Sequence, residues 1–264
     1  MNSGKICIEV CELVKQVGIF IRNESKTFDQ SVVEEKSFNQ LVSYVDKTAE
    51  EKLVAGLKKI FPDAGFITEE QTVVSEEKEW LWVIDPLDGT TNFIHQIPVY
   101  SISIGLLKNK KPMMGIVYEI NRDELFYAWE NSKAYLNGKE IHVKQNAELS
   151  MSLLATGFPY YDFDIMQKYL ETLHVLMKGT RGMRRMGSAA VDLAYVACGR
   201  FDGFFEFGLS SWDVAGGIFI VQQAGGKLSD FSGGDDYIFG REIIASSAAL
   251  HKQLFDVVYD KFRK

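Results

Sequence analysis

The stretch Asp85-Pro-Leu-Asp-Gly-Thr-Thr-Asn-Phe93 holds the residues best suited to chemistry. It follows Trp80-Leu-Trp-Val-Ile84, a continuous apolar run of the kind found in a strand buried on both faces. Such a strand delivers Asp85 to its carboxyl end, where open α/β sheets present ligand groups. Pro86 and Gly89 predict a tight turn that returns Asp88 to the side of Asp85. Two carboxylates held that close repel unless a cation neutralises them. An all-oxygen set favours Mg²⁺ or Mn²⁺ over zinc. Gly89, Thr90 and Thr91 would then open a helical turn whose backbone N–H groups offer a cradle for phosphate.

On these residues alone an ordinary Asp-capped turn stays open, because Asp, Pro and Gly are turn formers in their own right. Two neighbouring motifs do not fit. In the D-x-D-G-T pattern of aspartyl-nucleophile phosphatases the carboxylates are two apart; here they are three apart and Leu87 leaves the acid/base aspartate missing. An EF-hand fails at Leu87, a ligand position, and at Gln96, where a bidentate glutamate should stand.

Three further acidic pieces mean little singly. Asp213, in Trp212-Asp-Val-Ala-Gly-Gly217, precedes an apolar helix and alone reads as an N-cap. Ala215, Gly216 and Gly217 would let that helix end approach another backbone closely. Glu69-Glu70 ends the short strand Gly65–Thr68 and alone reads as a solvated pair. Asp46 reads as part of the polar face of a helix.

The elements that must position these groups follow from periodicity. Val10, Leu13, Val14, Val17 and Ile21 predict one amphipathic helix, and Leu41, Val45, Ala49, Leu53, Leu57 and Ile60 a second. Ser25–Asn39 between them reads as a hairpin or loop. Ser101–Val143 reads as a strand meander, with Gly115–Glu119, Leu125–Trp129 and a hairpin at Asn137-Gly138. Beyond it strands and helices alternate: Leu153–Thr156, Asp164–Lys178 (helix), Gly182–Met186, Ser188–Cys198 (helix), Phe204–Phe207, Val214–Ala224 (helix), Ile243–Ser246 and Ala248–Phe262 (helix). The fold class is α/β. An α+β subdomain over 1–145 meets an α/β subdomain over 146–264, and a cleft between them is the expected place for a site.

Composition narrows the function. The 264 residues are 46% hydrophobic and 25% charged, values of a folded chain. With 29 Lys and Arg against 36 Asp and Glu the net charge is −7, which counts against a protein that grips nucleic-acid phosphates. Three cysteines without a C-x-x-C, and four scattered histidines, disfavour a disulfide framework, structural zinc and a zinc hydrolase. The amino-terminal residues hold no signal-peptide core and no run suits a bilayer, so a soluble cytoplasmic protein is expected.

Taken together the pieces resemble the inositol monophosphatase family, within the superfamily of magnesium-dependent, lithium-sensitive phosphatases. The family motif D-P-[IL]-D-G-T-x-N-F is matched by Asp85–Phe93, and W-D-x-A-[AG]-G by Trp212–Gly217. The family's G-E-E step is Thr68-Glu69-Glu70, a departure at the glycine, which bears on a third metal. Arg184–Asp192 and Phe204-Phe-Glu206 resemble the bacterial members. The resemblance implies a layered αβαβα sandwich, a homodimer, two or three Mg²⁺ per site with Mn²⁺ as substitute, and a small phosphate monoester as substrate.

Carried over by position, it implies that Glu69, Asp85 and the Leu87 carbonyl bind one metal. Asp85, Asp88 and Asp213 would bind a second, and Glu69 with waters a third. Asp46 and Thr90 would orient the attacking water, with Glu70 assisting. The Gly89 and Thr90 amides would hold phosphate. Gly187, Ser188, Ala189 and Glu206 would meet the alcohol, and Leu87, Asp88 and Asp213 would complete the substrate-binding set; alone, Glu206 reads as an exposed strand residue. The implied reaction is in-line attack of a metal-activated water, which needs no Ser, Cys or His nucleophile. Thr91-Asn92 and Gly187-Ser-Ala-Ala190 depart from the D-G-T-K-E and G-S-S-x-K of nucleotide-bisphosphate phosphatases, and Thr90 from the D-G-S-S-N of fructose bisphosphatases. Inositol monophosphate is therefore the expected substrate. Those two classes, another sugar phosphate, or a regulatory binding role as in some bacterial relatives, are the alternatives.

Overall fold

The first helix, α1 (Ser3–Glu24), turns Cys7, Val10, Val14, Val17 and Ile21 inward at spacings of three and four. The second, α2 (Tyr44–Ile60), buries Val45, Ala49, Leu53 and Leu57 in the same way. It starts three residues later than the periodicity predicts. Ser43 is extended and caps the helix, so Leu41 belongs instead to a strand, β2 (Gln40–Val42), paired antiparallel with β1 (Glu34–Ser37). The computed structural model describes residues 2–29, 34–37, 40–75, 78–145, 148–159 and 163–263. The Ser25–Asn39 expectation therefore lies partly outside the described residues, and among them no helix is long and apolar enough to cross a membrane.

Seven strands form the larger sheet, in the order β3-β4-β5-β6-β7-β8-β9. They are β3 (Gly65–Thr68), β4 (Trp80–Asp88), β5 (Ser101–Lys108), β6 (Lys111–Glu119), β7 (Glu124–Trp129), β8 (Ala134–Leu136) and β9 (Lys139–Ile141). Only β3 and β4 run parallel; the rest is the expected meander. Asn137 (φ 48°) and Gly138 (φ 81°) make the two-residue turn between β8 and β9.

The second sheet has the order β11-β10-β12-β14-β13. Its members are β10 (Leu153–Thr156), β11 (Gly182–Arg184), β12 (Gly203–Phe207), β13 (Gly226–Ser229) and β14 (Glu242–Ser247). The sequence reading stops the preceding helix at Gly225-Gly226 and misses β13, because Gly-Lys-Leu-Ser carries too few apolar residues to signal a strand. Two helices, α5 (Ala189–Ala197) and α6 (Ser211–Gln223), lie between the sheets and are apolar nearly all round. The outer face of the second sheet is covered by α4 (Met166–Gly179) and α7 (Ala248–Phe262).

The result is the αβαβα sandwich. Strand alternation assigns each side chain to a layer: Trp82, Ile84, Ile102, Ile104 and Ile116 meet α1 and α2, whereas Leu81, Val83, Val117 and Phe126 meet α5 and α6. Glycines set how closely α6 lies on the larger sheet. A Cβ on Gly115 would stand 2.1 Å from the Gly216 carbonyl oxygen, and one on Gly105 would stand 2.6 Å from the Ala215 Cβ. The Ala-Gly-Gly step therefore permits the close approach that the sequence suggests.

Candidate metal centre

Asp85 and Asp88 both belong to β4, and simple alternation would send residues three apart to opposite faces. A β-bulge prevents this. Asp85 opposes Ser103 and Asp88 opposes Ser101, so three steps on β4 match two on β5. The extra residue puts both aspartates on the α5–α6 side and turns Leu87 into the α1–α2 core. This corrects the tight turn expected from Pro86 and Gly89: the strand continues through Asp88, and only then does Gly89, at φ 100°, turn the chain into α3 (Thr90–Ile94). The Leu87 N–H donates to Asp85 Oδ1 at 3.0 Å, which fixes that carboxylate within the bulge.

Asp213 comes from the other side. Its helix starts at Ser211, so Asp213 is not the N-cap that the sequence suggests but sits in the first turn, capped from Ser210. The Ser210 N–H donates to Asp213 Oδ2 at 2.6 Å, while Ser103 Oγ donates to the Trp212 carbonyl and ties this turn to β5. Among the described residues, Asp85, Asp88 and Asp213 each bring a carboxylate oxygen within 4.8 Å of the other two.

Burial raises all three carboxyls, and repulsion from neighbouring carboxylates adds to it at Asp85 and Asp213. Burial, then the charges of Glu69, Asp88 and Asp213, holds Asp85 well above the usual carboxylate range. Burial and then Asp88 push Asp213 up to about 7. Asp88 rises only to about 6, because hydrogen bonds from α5 oppose its burial: Ser188 Oγ (2.6 Å) and the Ala190 N–H (2.7 Å) both donate to its Oδ2. That leaves the other oxygen of Asp88 for a cation. Three all-oxygen donors whose repulsion a cation would relieve fit Mg²⁺ or Mn²⁺.

Glu69 adjoins the cluster at Asp85, and its N–H donates to the Ile84 carbonyl, continuing the β3–β4 pairing. Glu70 and Thr72 are held by Glu50, a buried carboxylate of α2. It accepts the Glu70 N–H (2.7 Å), the Thr72 N–H (2.8 Å) and the Thr72 hydroxyl (2.8 Å). Asp46, one turn earlier on α2, is wholly buried. Its Oδ2 accepts the Ser43 N–H and hydroxyl, and its Oδ1 lies 2.9 Å from Thr90 Oγ1. The single Thr90 proton is shared between Asp46 and the Leu87 carbonyl at 3.0 Å. Burial raises the Asp46 carboxyl, and the Ser43 and Thr90 hydrogen bonds resist the rise.

The residues expected to meet the alcohol lie across from this cluster. Gly187 (φ 87°) and Gly89 face each other, a Cβ on Gly89 falling 3.1 Å from the Gly187 carbonyl oxygen. Asn92 pins them, its Nδ2 donating to the Val99 and Met186 carbonyls at 2.7 and 2.8 Å. Ser188 and Ala189 start α5, with the Ser188 hydroxyl directed at Asp88. Glu206 of β12 shares a face with Phe204, which packs into the α5–α6 layer, whereas Phe205 faces α4 and α7. Burial, then the charge of Asp213, pushes Glu206 up to about 8, opposed by Arg185.

Sequence reasoning passes over several supporting residues. Ser43, Glu50, Asn92, Ser101, Ser103 and Asp192 are all buried. For Ser101 and Ser103 a signal existed: two serines alternating with Ile102 and Ile104 on a strand whose other face is core. Glu50 has none, since a glutamate in Glu50-Glu51-Lys52 reads as a solvated helix face.

Layered sheets, an acidic cluster on a bulged strand and an aspartate–threonine pair are the arrangement expected of a metal-assisted phosphatase of the αβαβα class. The comparisons agree: the model of the inositol monophosphatase family matches residues 5–263. Nus factor SuhB of Pseudomonas aeruginosa is 39% identical over 249 residues, 92% of both chains. The solved extragenic suppressor protein suhB from Bartonella henselae superposes with a TM-score of 0.88 at 35% identity, covering 94% of this chain and 95% of that one. Inositol monophosphatase from Anabaena (Nostoc) sp. PCC 7120 gives 0.87 at 34% identity, covering 99% and 98%. The chain belongs to the inositol monophosphatase family.

Proposed function

We propose that this protein hydrolyses myo-inositol monophosphate to inositol and phosphate, using two or three Mg²⁺. The observation that carries this reading is the convergence of Asp85, Asp88 and Asp213 beside the hydrogen-bonded Asp46–Thr90 pair. Asp85, Asp88 and Asp213 would hold one cation; Glu69, Asp85 and the Leu87 carbonyl would hold another; Glu69 would serve a third. Mg²⁺ bound there would supply charge neutralisation for the phosphate, a lowered pKa for water and stabilisation of the leaving alkoxide.

The chain's own groups do the positioning. Asp46 and the Leu87 carbonyl accept the hydrogen bond of the Thr90 hydroxyl, which leaves the threonine lone pairs to accept a hydrogen bond from the attacking water. Glu70 assists beside it, on a loop set by Glu50. The Gly89 and Thr90 amides hold phosphate oxygens, and Gly187, Ser188, Ala189 and Glu206 face the alcohol. A homodimer of chains that each fold as two halves, 1–145 and 146–264, belongs to the same reading, as does a cytoplasmic location.

The test is a panel of phosphate monoesters assayed with Mg²⁺: inositol monophosphate, fructose 1,6-bisphosphate, 3′-phosphoadenosine nucleotides and p-nitrophenyl phosphate. Inositol monophosphate should have the highest kcat/KM, and millimolar Li⁺ should inhibit uncompetitively. Preference for a bisphosphate would move the assignment within the superfamily; no turnover of any member would remove it.

A second reading, a regulatory binding role, has one observation in its favour, the name Nus factor carried by a relative 39% identical. If it holds, a chain bearing Asp88→Asn would restore growth to a host deprived of the gene although hydrolysis is lost.

A further inference from the structure

We infer that Gly157 is a specificity-determining position: it provides the seat on which the Glu206 carboxylate rests. The inference builds on the reading of Glu206 as the group that meets substrate hydroxyls. β10 and β12 pair in parallel as far as Thr156 and Phe205, so the next residues, Gly157 and Glu206, lie side by side just past the last rung. A Cβ built on Gly157 would stand 1.8 Å from Glu206 Oε1, 2.1 Å from its Cδ and 2.4 Å from Oε2. The whole carboxylate therefore occupies the space that any other residue at 157 would fill.

The seat itself is fixed. Thr156 Oγ1 donates to the Phe205 carbonyl at 2.7 Å and locks the two strands together. The buried Tyr169 hydroxyl donates to the Gly157 carbonyl at 2.7 Å, holding that peptide from the α4 side. Backbone cannot yield there, but the far end of a glutamate can. An alanine at 157 would drive the Glu206 carboxylate back by about 1.5 Å to reach ordinary contact distance. That displacement is enough to break hydrogen bonds to an alcohol while leaving the strands and the aspartate cluster in place. Gly157 touches no substrate in this account; it acts through Glu206.

The test compares Gly157→Ala, Glu206→Ala and the double variant on inositol monophosphate and on p-nitrophenyl phosphate, which offers no hydroxyl. Gly157→Ala should lower kcat/KM for inositol monophosphate about tenfold, roughly the worth of one hydrogen bond left unmade, with p-nitrophenyl phosphate unchanged. In the Glu206→Ala background it should cost nothing more, since no carboxylate remains to be displaced. A purely structural role would lower both substrates together and would add to the loss from Glu206→Ala. If Glu206→Ala is selective but Gly157→Ala is not, the seat is refuted and the reading of Glu206 stands. If Glu206→Ala itself shows no selectivity, that reading falls and the seat falls with it.

Discussion

At the scale of single residues, Asp88 joins two jobs in one carboxylate. Its Oδ2 is bound by the start of α5, and one of its carboxylate oxygens lies within 4.8 Å of those of Asp85 and Asp213. Asn at this position can keep its carbonyl toward the α5 donors, which leaves its NH₂ pointed where a cation should sit. Asp88→Asn should therefore fold normally and lose about 10²–10³ in kcat at saturating Mg²⁺, a magnitude typical of removing one electrostatic stabiliser. Near-wild-type turnover would refute Asp88 as a ligand. Glu50 makes a complementary case, because it acts on the site by holding the Glu70–Thr72 segment through two N–H groups and the Thr72 hydroxyl. Glu50→Ala leaves two N–H groups without their acceptor, and the Mg²⁺ concentration for half activity should rise about tenfold, as for other residues that orient ligands. A titration curve identical to wild type would show that the Glu69–Glu70 segment is held without it.

The elements matter through how closely they approach. Gly115 on β6 and Gly216 on α6 meet backbone to backbone, with no flexible side chain to absorb an added atom. Gly115→Ala should lift α6 off the sheet, cost about 1–3 kcal/mol in urea unfolding as overpacked cores do, and depress activity by carrying Asp213 away. Full stability in the variant would mean that the layer spacing is softer than the geometry implies. The same closeness explains what was legible beforehand. Asp85 and Asp88 stood out because a buried strand running into D-P-L-D-G is a local pattern that needs no knowledge of partners, whereas Asp213 reads alone as an N-cap and joined them only through the resemblance of Trp212–Gly217 to a family motif. The start of α2 was misplaced because apolar spacing continues past Ser43, whose extended backbone ends the strand. Glu50 stayed hidden, and the alternation of Ser101 and Ser103 with isoleucines could mark them only as buried polar residues, because the partners that give all three their roles lie 20 to 109 residues away in the chain.

For the molecule as a whole, the acidic cluster couples stability to pH and to cation. Burial pushes Asp88, Asp213 and Glu206 up to about 6, 7 and 8, all above the values of an unfolded chain, and holds Asp85 well above the usual carboxylate range as well. Between about pH 4 and 8 the folded state thus binds more protons than the unfolded one, and without a cation these groups withdraw stability as pH rises through those values. His251 works the other way: burial lowers it to about 4, so its contribution falls as pH drops below about 6.5. Comparing melting temperatures with and without Mg²⁺ cancels that background. The Mg²⁺-induced rise should be near zero at pH 5 and reach roughly 5–10 °C at pH 8 when Mg²⁺ is at about a hundred times its dissociation constant. A rise that stays constant across this range would show that the cation is held by other groups.

The bulge between Asp85 and Asp88 makes the site a matter of counting. If the three-residue step ran as regular strand without the bulge, Leu87 and Asp88 would trade layers: an acid would enter the α1–α2 core and a leucine would face Asp213. Changing the interval by two would preserve the parity but break the match to Ser101 and Ser103. Length variation in a lineage of such chains should therefore be confined to places where odd and even do not matter, such as the turns of the outer meander. The interval between the two aspartates should be as invariant in length as the aspartates are in kind, and a sequence survey that counts gaps rather than substitutions would reveal it.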